Sequence, residues 1–324
     1  MGMRIVSTGS YLPQKVLTNA DLEKMVETSD EWIRTRTGVS ERRIAAPEEA
    51  ASDLGIRAGR LALKRANFPP EKIDAVITAT ITGDYHFPST ACIIQEGLGA
   101  GNAFAFDLSA ACSGFLYGLV CSRGLILSGQ CRNVLLIATE TMSRVTDYTD
   151  RGTCVLLGDG AGAVLLSADE KDAVLGSYLA SNGSYTDLLF MPAGGGRQPA
   201  SRETVEKRLH FMKMEGQALF KVAVQSMVEA ARKALERANV SSEEISLVIP
   251  HQANLRIIQA VVKNLSLPME KVFLNIQNYG NMSAASVAVG LDEAVTSGQV
   301  KAGDLALLFT FGAGLTWAAM VIRL

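Results

Sequence analysis

The sequence predicts an α/β protein made of two similar βα halves packed together, and three observations carry that reading. Short apolar runs of strand length alternate with stretches of helical periodicity, the pattern of helix-covered sheets. EKIDAVITAT at 71–80 resembles EEISLVIPHQ at 243–252, each an acidic lead into a buried strand. SGQCRNVLLIATE at 128–140 resembles SGQVKAGDLALLFTFG at 297–312, at nearly the same separation. Two matches at nearly one spacing suggest a duplication, with halves over 1–170 and 171–324. A chain of 324 residues exceeds one ordinary domain of roughly 100–200 residues, which fits either two domains or one large α/β unit.

In the first half, Leu54, Ala58, Leu61 and Ala62 share one face of a helix over 53–66, and the run 74–80 follows as a strand. AFAFDL at 103–108 is a further apolar run, and GFLYGLVCSRGLIL at 114–127 is helix-like. The glycines of GDGAGA at 158–163 precede the strand-like AVLLS, not a helix, and read as a tight turn rather than a dinucleotide-binding loop. Residues 181–210 hold GGGRQP and little periodicity, as in a flexible surface excursion, either a tolerated insertion or a lid. The second half repeats the alternation with a helix over 215–238, a strand over 245–250, a helix from Ala253 and a strand over 304–311. Leu305 to Ile322 is uncharged over the length of a membrane span. Gly312 and Gly314 interrupt it, so it reads as two buried strands joined by a glycine turn.

Composition narrows the function classes. With 48% hydrophobic and 20% charged residues and a net charge of -2, nothing draws the whole molecule to nucleic acid or membrane. MGMRIVSTGSYLP has no apolar signal region, so a cytoplasmic protein is expected. Five cysteines without a C-x-x-C pair argue against a disulfide framework or zinc knuckle and fit a reducing compartment.

Cys92, Cys121, Cys131 and Cys154 read as small buried hydrophobes. Cys112 differs, because DLSAACSGF places it between an apolar run and a helix start, where unpaired N–H groups and the helix dipole favour thiolate. Position alone leaves it either a core residue or a nucleophile. His251, in PHQAN, directly follows a strand, where α/β sheets carry their sites, yet a lone histidine there can be structural. Asn281 lies in the polar turn of YGNMSAAS before a small-residue helix.

AACSGF, PHQANLRI and YGNMSAAS, with the C-terminal FGAGLTWAA, resemble the β-ketoacyl-acyl carrier protein synthase III family of the thiolase-like superfamily. The resemblance runs in order from TSDEWIRTRTG to the TW near the end. It implies a five-layered α-β-α-β-α core of two duplicated halves. It also implies the initiating condensation of bacterial type II fatty acid synthesis. Cys112 would accept an acyl group from acyl-CoA as a thioester; malonyl-acyl carrier protein would then lose CO2, and its carbanion would attack that thioester.

The same resemblance assigns further residues. His251 and Asn281 would direct N–H groups at the malonyl thioester oxygen, and the backbone N–H groups of Cys112 and Ala313 would hold the acyl oxyanion. The family run is commonly FGGGFTWG, whereas this chain has Ala313, Leu315 and Ala318; alanine keeps the N–H donor if its φ is negative. Trp32 and Arg36 would hold the adenine and phosphate end of CoA, Arg151, followed by Gly152, would stack on the other adenine face, and Asn254 would line the pantetheine tunnel. Lys221, with Arg256 and Lys263 on one helix face, would form a basic patch for the acidic carrier protein; the plainer reading is a solvated face. Phe87 would cross a homodimer interface to close the acyl pocket, which Phe311 also lines. A ring there favours a short primer, acetyl-CoA first and branched short acyl-CoA second. No metal or cofactor is expected.

Rival readings follow from the same residues. A thiolase needs a second late cysteine and none follows Cys154; elongating synthases use two histidines where Asn281 stands here. Plant-type polyketide synthases have longer chains. Relatives making quinolone signals or other specialised ketones remain open. A scaffold that binds carrier protein without condensing is disfavoured by Cys112, His251 and Asn281 together.

Overall fold

The computed structural model describes residues 2–324. In chain order the framework is β1 (Gly2–Tyr11), α1 (Asp30–Thr37), α2 (Ala51–Arg65), β2 (Ala75–Ala79), α3 (Thr90–Leu98), β3 (Phe104–Leu108), α4 (Gly114–Leu127), β4 (Asn133–Thr141) and β5 (Asp159–Asp169). It continues with β6 (Val174–Ser181), α5 (Gly216–Ala238), β7 (Leu247–Pro250), α6 (Leu255–Asn264), α7 (Ala285–Thr296), β8 (Leu305–Gly312) and β9 (Thr316–Arg323). One sheet has the order β1-β5-β4-β2-β3, parallel across β4-β2-β3 and antiparallel at β1-β5-β4. The other has the order β7-β8-β9-β6, with β7 and β8 parallel.

Strand alternation builds the layers. Val76, Leu135 and Ile137 face one side of the first sheet, where they pack with Leu54, Ala58 and Ala62 of α2 and Ile94 and Leu98 of α3. Ile77, Ala79, Leu136 and Ala138 face the other side and meet Phe115, Leu116 and Leu119 of α4 and Val287, Ala288 and Leu291 of α7. That central helix layer also receives Ile249, Leu308 and Met320 from the second sheet. The far face of the second sheet, with Val248, Leu307 and Phe309, is covered by α5 and α6. The result is the expected five-layered core. The central strands are buried on both faces and so read as continuous apolar runs, and each fully buried Leu or Ile contributes roughly 1.5–3 kcal/mol.

Two expectations need correction. GDGAGA is not a turn: its residues from Asp159 onward lie inside β5. Its glycines serve packing, since a Cβ on Gly162 would stand 2.5 Å from the Cβ of Ala288, so their smallness lets α7 lie against the strand. Segment 181–210 carries short helices at Gly183–Leu188 and Arg202–Glu206 and a short strand at Leu189–Phe190. The uncharged C-terminal run forms the antiparallel pair β8 and β9, and among the described residues no helix is long and apolar enough to cross a membrane.

Candidate active site

Cys112 lies beyond the C-terminal end of β3, in a 3-10 turn over Ala111–Ser113 that leads into α4. The preceding Ala111 has φ +47°. Gly312, at the end of β8, fits against it only because it has no side chain: a Cβ there would lie 2.6 Å from the Cys112 nitrogen. The Thr316 hydroxyl donates to the Ala110 carbonyl at 2.9 Å, and the Ser113 hydroxyl donates to the Thr316 carbonyl at 3.1 Å. The turn between β8 and β9 is thereby fastened to the cysteine loop.

His251 follows β7, and its N–H donates to the Phe309 carbonyl of β8 at 2.8 Å. Gln252 beside it donates to the Pro250 and Phe273 carbonyls and accepts from the Asn275 and Ile276 N–H groups, which fixes the strand end. Asn281 is anchored through its backbone, donating to the Leu156 carbonyl at 2.8 Å and accepting from the Gly158 N–H at 3.0 Å. Its Oδ1 accepts the Ser283 N–H at 2.8 Å, which leaves the amide NH2 as the free donor. Gly280 has φ +64° and a Cβ there would fall 2.5 Å from the Leu156 carbonyl oxygen, so the approach to Asn281 requires glycine.

One cavity of about 1010 Å³ brings Cys112, His251 and Asn281 together and is also lined by Trp32, Arg36, Gly152, Asn254, Phe311 and Ala313. Ala313 is not among the positive-φ residues, so alanine is accommodated and its N–H is retained. Asn254 caps α6, accepting from the Arg256 N–H at 2.9 Å and donating to the Arg36 carbonyl at 3.1 Å. Arg151 is outside the lining; its guanidinium lies 4.9 Å from the Trp32 ring centre and it donates to the Glu27 carbonyl. A flat ring held between the two needs roughly 7 Å, two van der Waals contacts, so stacking requires Arg151 to move outward. Phe87 is 86% exposed and does not line this chain's cavity. Lys221 on α5 and Arg256 and Lys263 on α6 are exposed, and among the described residues none of the three is in an ion pair.

Burial opposes the thiolate that the helix start favours. Burial pushes the Cys112 thiol up to about 12, with the Ser283 hydroxyl opposing and the charge of Glu140 reinforcing the shift. Burial pushes His251 down to about 4, and its Nδ1 has no hydrogen-bond partner. Near neutral pH the site therefore rests as thiol and neutral imidazole. Burial thus works against the thiolate that the start of α4 favours. Two other cysteines also depart from expectation, Cys92 being exposed and Cys121 half-buried.

Sequence reasoning missed part of the cavity wall. Leu189, Phe190 and Met191, from the segment read as an excursion, line it with Met212 and Met214, so that segment is part of the site. It also missed Glu140 and Ser283, both buried beside the thiol. A carboxylate at the inward phase of an otherwise apolar strand was the available signal.

The family description 3-oxoacyl-[acyl-carrier-protein (ACP)] synthase III matches residues 106–183, and its C-terminal counterpart matches residues 235–324. The chain is 56% identical to a beta-ketoacyl-[acyl-carrier-protein] synthase III of Caldanaerobacter subterraneus subsp. tengcongensis, over 98% of this chain and 97% of that one. The crystal structure of 3-oxoacyl-[acyl-carrier-protein] synthase III from Aquifex aeolicus superposes with a TM-score of 0.92 at 49% identity, covering both chains completely. The priming beta-ketosynthase of the R1128 polyketide pathway gives a TM-score of 0.93 at 38% identity, over all of this chain and 96% of that one. With these identities spanning essentially the whole chain, and with Cys112, His251 and Asn281 converging on one cavity, the chain belongs to the 3-oxoacyl-[acyl-carrier-protein] synthase III family.

Proposed function

We propose that Cys112, His251 and Asn281 carry out the two half-reactions of the initiating condensation of fatty acid synthesis. A short acyl-CoA and malonyl-acyl carrier protein give β-ketoacyl-acyl carrier protein, CO2 and CoA. The observation that carries the residue assignment is the convergence of the three side chains, from three separate loops, on one largely apolar cavity. In loading, the Cys112 sulfur attacks the acyl carbonyl and the C–S bond to CoA breaks. The N–H groups of Cys112 and Ala313 take the oxyanion. In condensation, malonyl carboxylate leaves as CO2 and the enolate oxygen meets donors from His251 and the Asn281 NH2. That requires the Nε2-H tautomer of His251. A buried, neutral imidazole serves as a donor at a pH where imidazolium would bind the malonyl carboxylate instead of releasing it. The largely apolar lining strengthens both sets of hydrogen bonds.

Trp32, Arg36, Gly152 and Asn254, which line the cavity, would take CoA or the carrier's pantetheine arm, with Arg151 closing on adenine after leaving Trp32. The unpaired cations Lys221, Arg256 and Lys263 support docking of an acidic carrier protein. A homodimer is supported by β3, an edge strand paired only to β2, and by exposed Tyr85, Phe87 and Phe104 nearby in the chain. Phe87 of one copy would then close the acyl pocket of the other. We assign acetyl-CoA as primer and the cytoplasm as compartment; no metal or other cofactor enters the reaction. The 38% identity to a polyketide priming synthase favours a second reading, with the same chemistry on a different primer. The test is the mass of carrier protein after turnover with malonyl-acyl carrier protein and acetyl-, isobutyryl- or hexanoyl-CoA. An acetoacetyl product sustains the assignment, and a product only from the longer primers replaces it with the second reading.

A further inference from the structure

Loading must dispose of the Cys112 proton, and no side chain assigned above is suited to take it. Burial favours the neutral thiol, and His251, pushed down to about 4, is a weak base. A buried polar pair lies beside the thiol. Glu140, on β4, is fully buried, and the strand alternation that sends Leu136 and Ala138 to the central helices sends Glu140 the same way. One carboxyl oxygen, Oε2, accepts from the Thr80 hydroxyl at 3.2 Å, the Ile81 and Thr82 N–H groups at 3.1 and 3.2 Å and the Thr82 hydroxyl at 2.5 Å. The other, Oε1, is buried with no well-formed hydrogen bond, and so is the Ser283 hydroxyl. That hydroxyl faces both the Cys112 thiol and the Glu140 carboxyl. Close packing fixes the arrangement: a Cβ on Gly114 would lie 3.0 Å from the Cβ of Ala79 and 3.4 Å from that of Ala284.

We infer that Ser283 and Glu140 form a relay that accepts the Cys112 proton during acyl loading and returns it after condensation. The inference rests on Cys112 being the acylated residue. As the S–C bond forms, the thiol proton passes to Ser283 Oγ and the Ser283 proton passes to Glu140 Oε1. CoA departs with the electron pair of the broken C–S bond and takes a proton from solvent. In condensation the enolate carbon bonds to the acyl carbon, and Cys112 leaves as thiolate. Glu140 then gives its proton back through Ser283. One solvent proton is consumed per turnover, as the overall reaction requires.

The surroundings suit a group that changes charge. Burial raises the Glu140 carboxyl to about 7, against the hydrogen bonds from Thr82, Ile81 and Thr80 and the nearby Ser283 hydroxyl. Other charged groups on the elements that share its face are committed elsewhere. Arg123 of α4 pairs with Asp172, Asp292 of α7 with Arg65, and Glu293 of α7 accepts from Asn275 and Tyr279. Asp159 of β5 accepts from Ala45 and Ser143, while α2 covers the opposite face of the sheet. That leaves Cys112, through Ser283, as the titrating neighbour on this side, with His251 at the cavity.

Rapid-quench intact mass gives the rate of acetyl-thioester formation against pH for wild type, Glu140→Gln, Glu140→Asp and Ser283→Ala. Wild type should load faster as pH rises through about 7, where Glu140 loses its proton. Glu140→Gln and Ser283→Ala should lose that inflection and load about 100-fold more slowly at pH 7.5, with CoA affinity unchanged, while Glu140→Asp restores part of both. If Glu140→Gln does not fold, Ser283→Ala, which keeps the backbone N–H held by Asn281, decides the matter. A loaded wild type with unaltered profiles in the relay variants overturns the relay alone. Wild type that never acquires an acyl group on Cys112, with any primer, overturns the Cys112 assignment and the relay with it.

Discussion

Buried titrating residues set the pH response, and their effects on stability oppose one another. His251 holds a folded value of about 4, below its ordinary 6.5, so between those limits the unfolded chain binds the extra proton. Its contribution is present above about 6.5 and lost as pH falls towards 4. Glu140 holds about 7 against an ordinary 4.5, so the folded chain binds the extra proton between those limits. Its contribution is present below about 4.5 and lost as pH rises towards 7. Each effect is on the order of 3 kcal/mol, and they run in opposite directions over nearly one window. Wild type should therefore show a flat stability profile between pH 4.5 and 6.5. In Glu140→Gln the urea midpoint should fall as pH is lowered through that window, and a flat profile in the variant would show that His251 is not held neutral. Asn281→Ala should lower condensation by about 10²–10³-fold while acyl loading persists, since in the proposed mechanism its NH2 serves only the enolate oxygen. Equal loss in both half-reactions would remove that division of labour.

Elements explain why some of this was legible. Cys112 and Asn281 stand the same number of residues ahead of the two SGQ signatures, so duplication places the proposed nucleophile and the amide at equivalent starts of the paired central helices α4 and α7. Both helices end on a glycine of positive φ, Gly129 and Gly298. The repeat was readable because strands and helices keep their apolar phase. The role of GDGAGA was not, since a glycine run signals a turn locally and close helix packing only in three dimensions. The cavity wall at 189–191 was equally hidden, because its residues belong to short irregular elements without periodicity. Gly312→Ala tests the most constrained contact: a Cβ 2.6 Å from the Cys112 nitrogen must push the turn or the cysteine loop aside. We expect a loss of about 1–3 kcal/mol in stability, read by urea denaturation, and more than tenfold slower loading. Wild-type values for both would mean that the two loops are not rigidly fastened.

For the whole molecule, five layers bury both sheets and leave their strand ends to build one site between the halves. The fold followed from pattern, whereas Glu140 and Ser283 did not, because an inward carboxylate becomes meaningful only once its neighbours are known. Docking belongs to this scale too. Lys221→Glu with Lys263→Glu should raise the KM for malonyl-acyl carrier protein by about tenfold and weaken its salt dependence, leaving acetyl-CoA loading unchanged. An unchanged KM would place the carrier elsewhere. Loading and discharge of one side chain underlie all of these expectations. Intact-protein mass should therefore be followed as wild type and Cys112→Ser meet acetyl-CoA and then malonyl-acyl carrier protein. One acetyl group should appear on wild type alone and vanish on addition of the second substrate. An adduct on Cys112→Ser, or a wild-type adduct that malonyl-acyl carrier protein does not discharge, would contradict the thioester route.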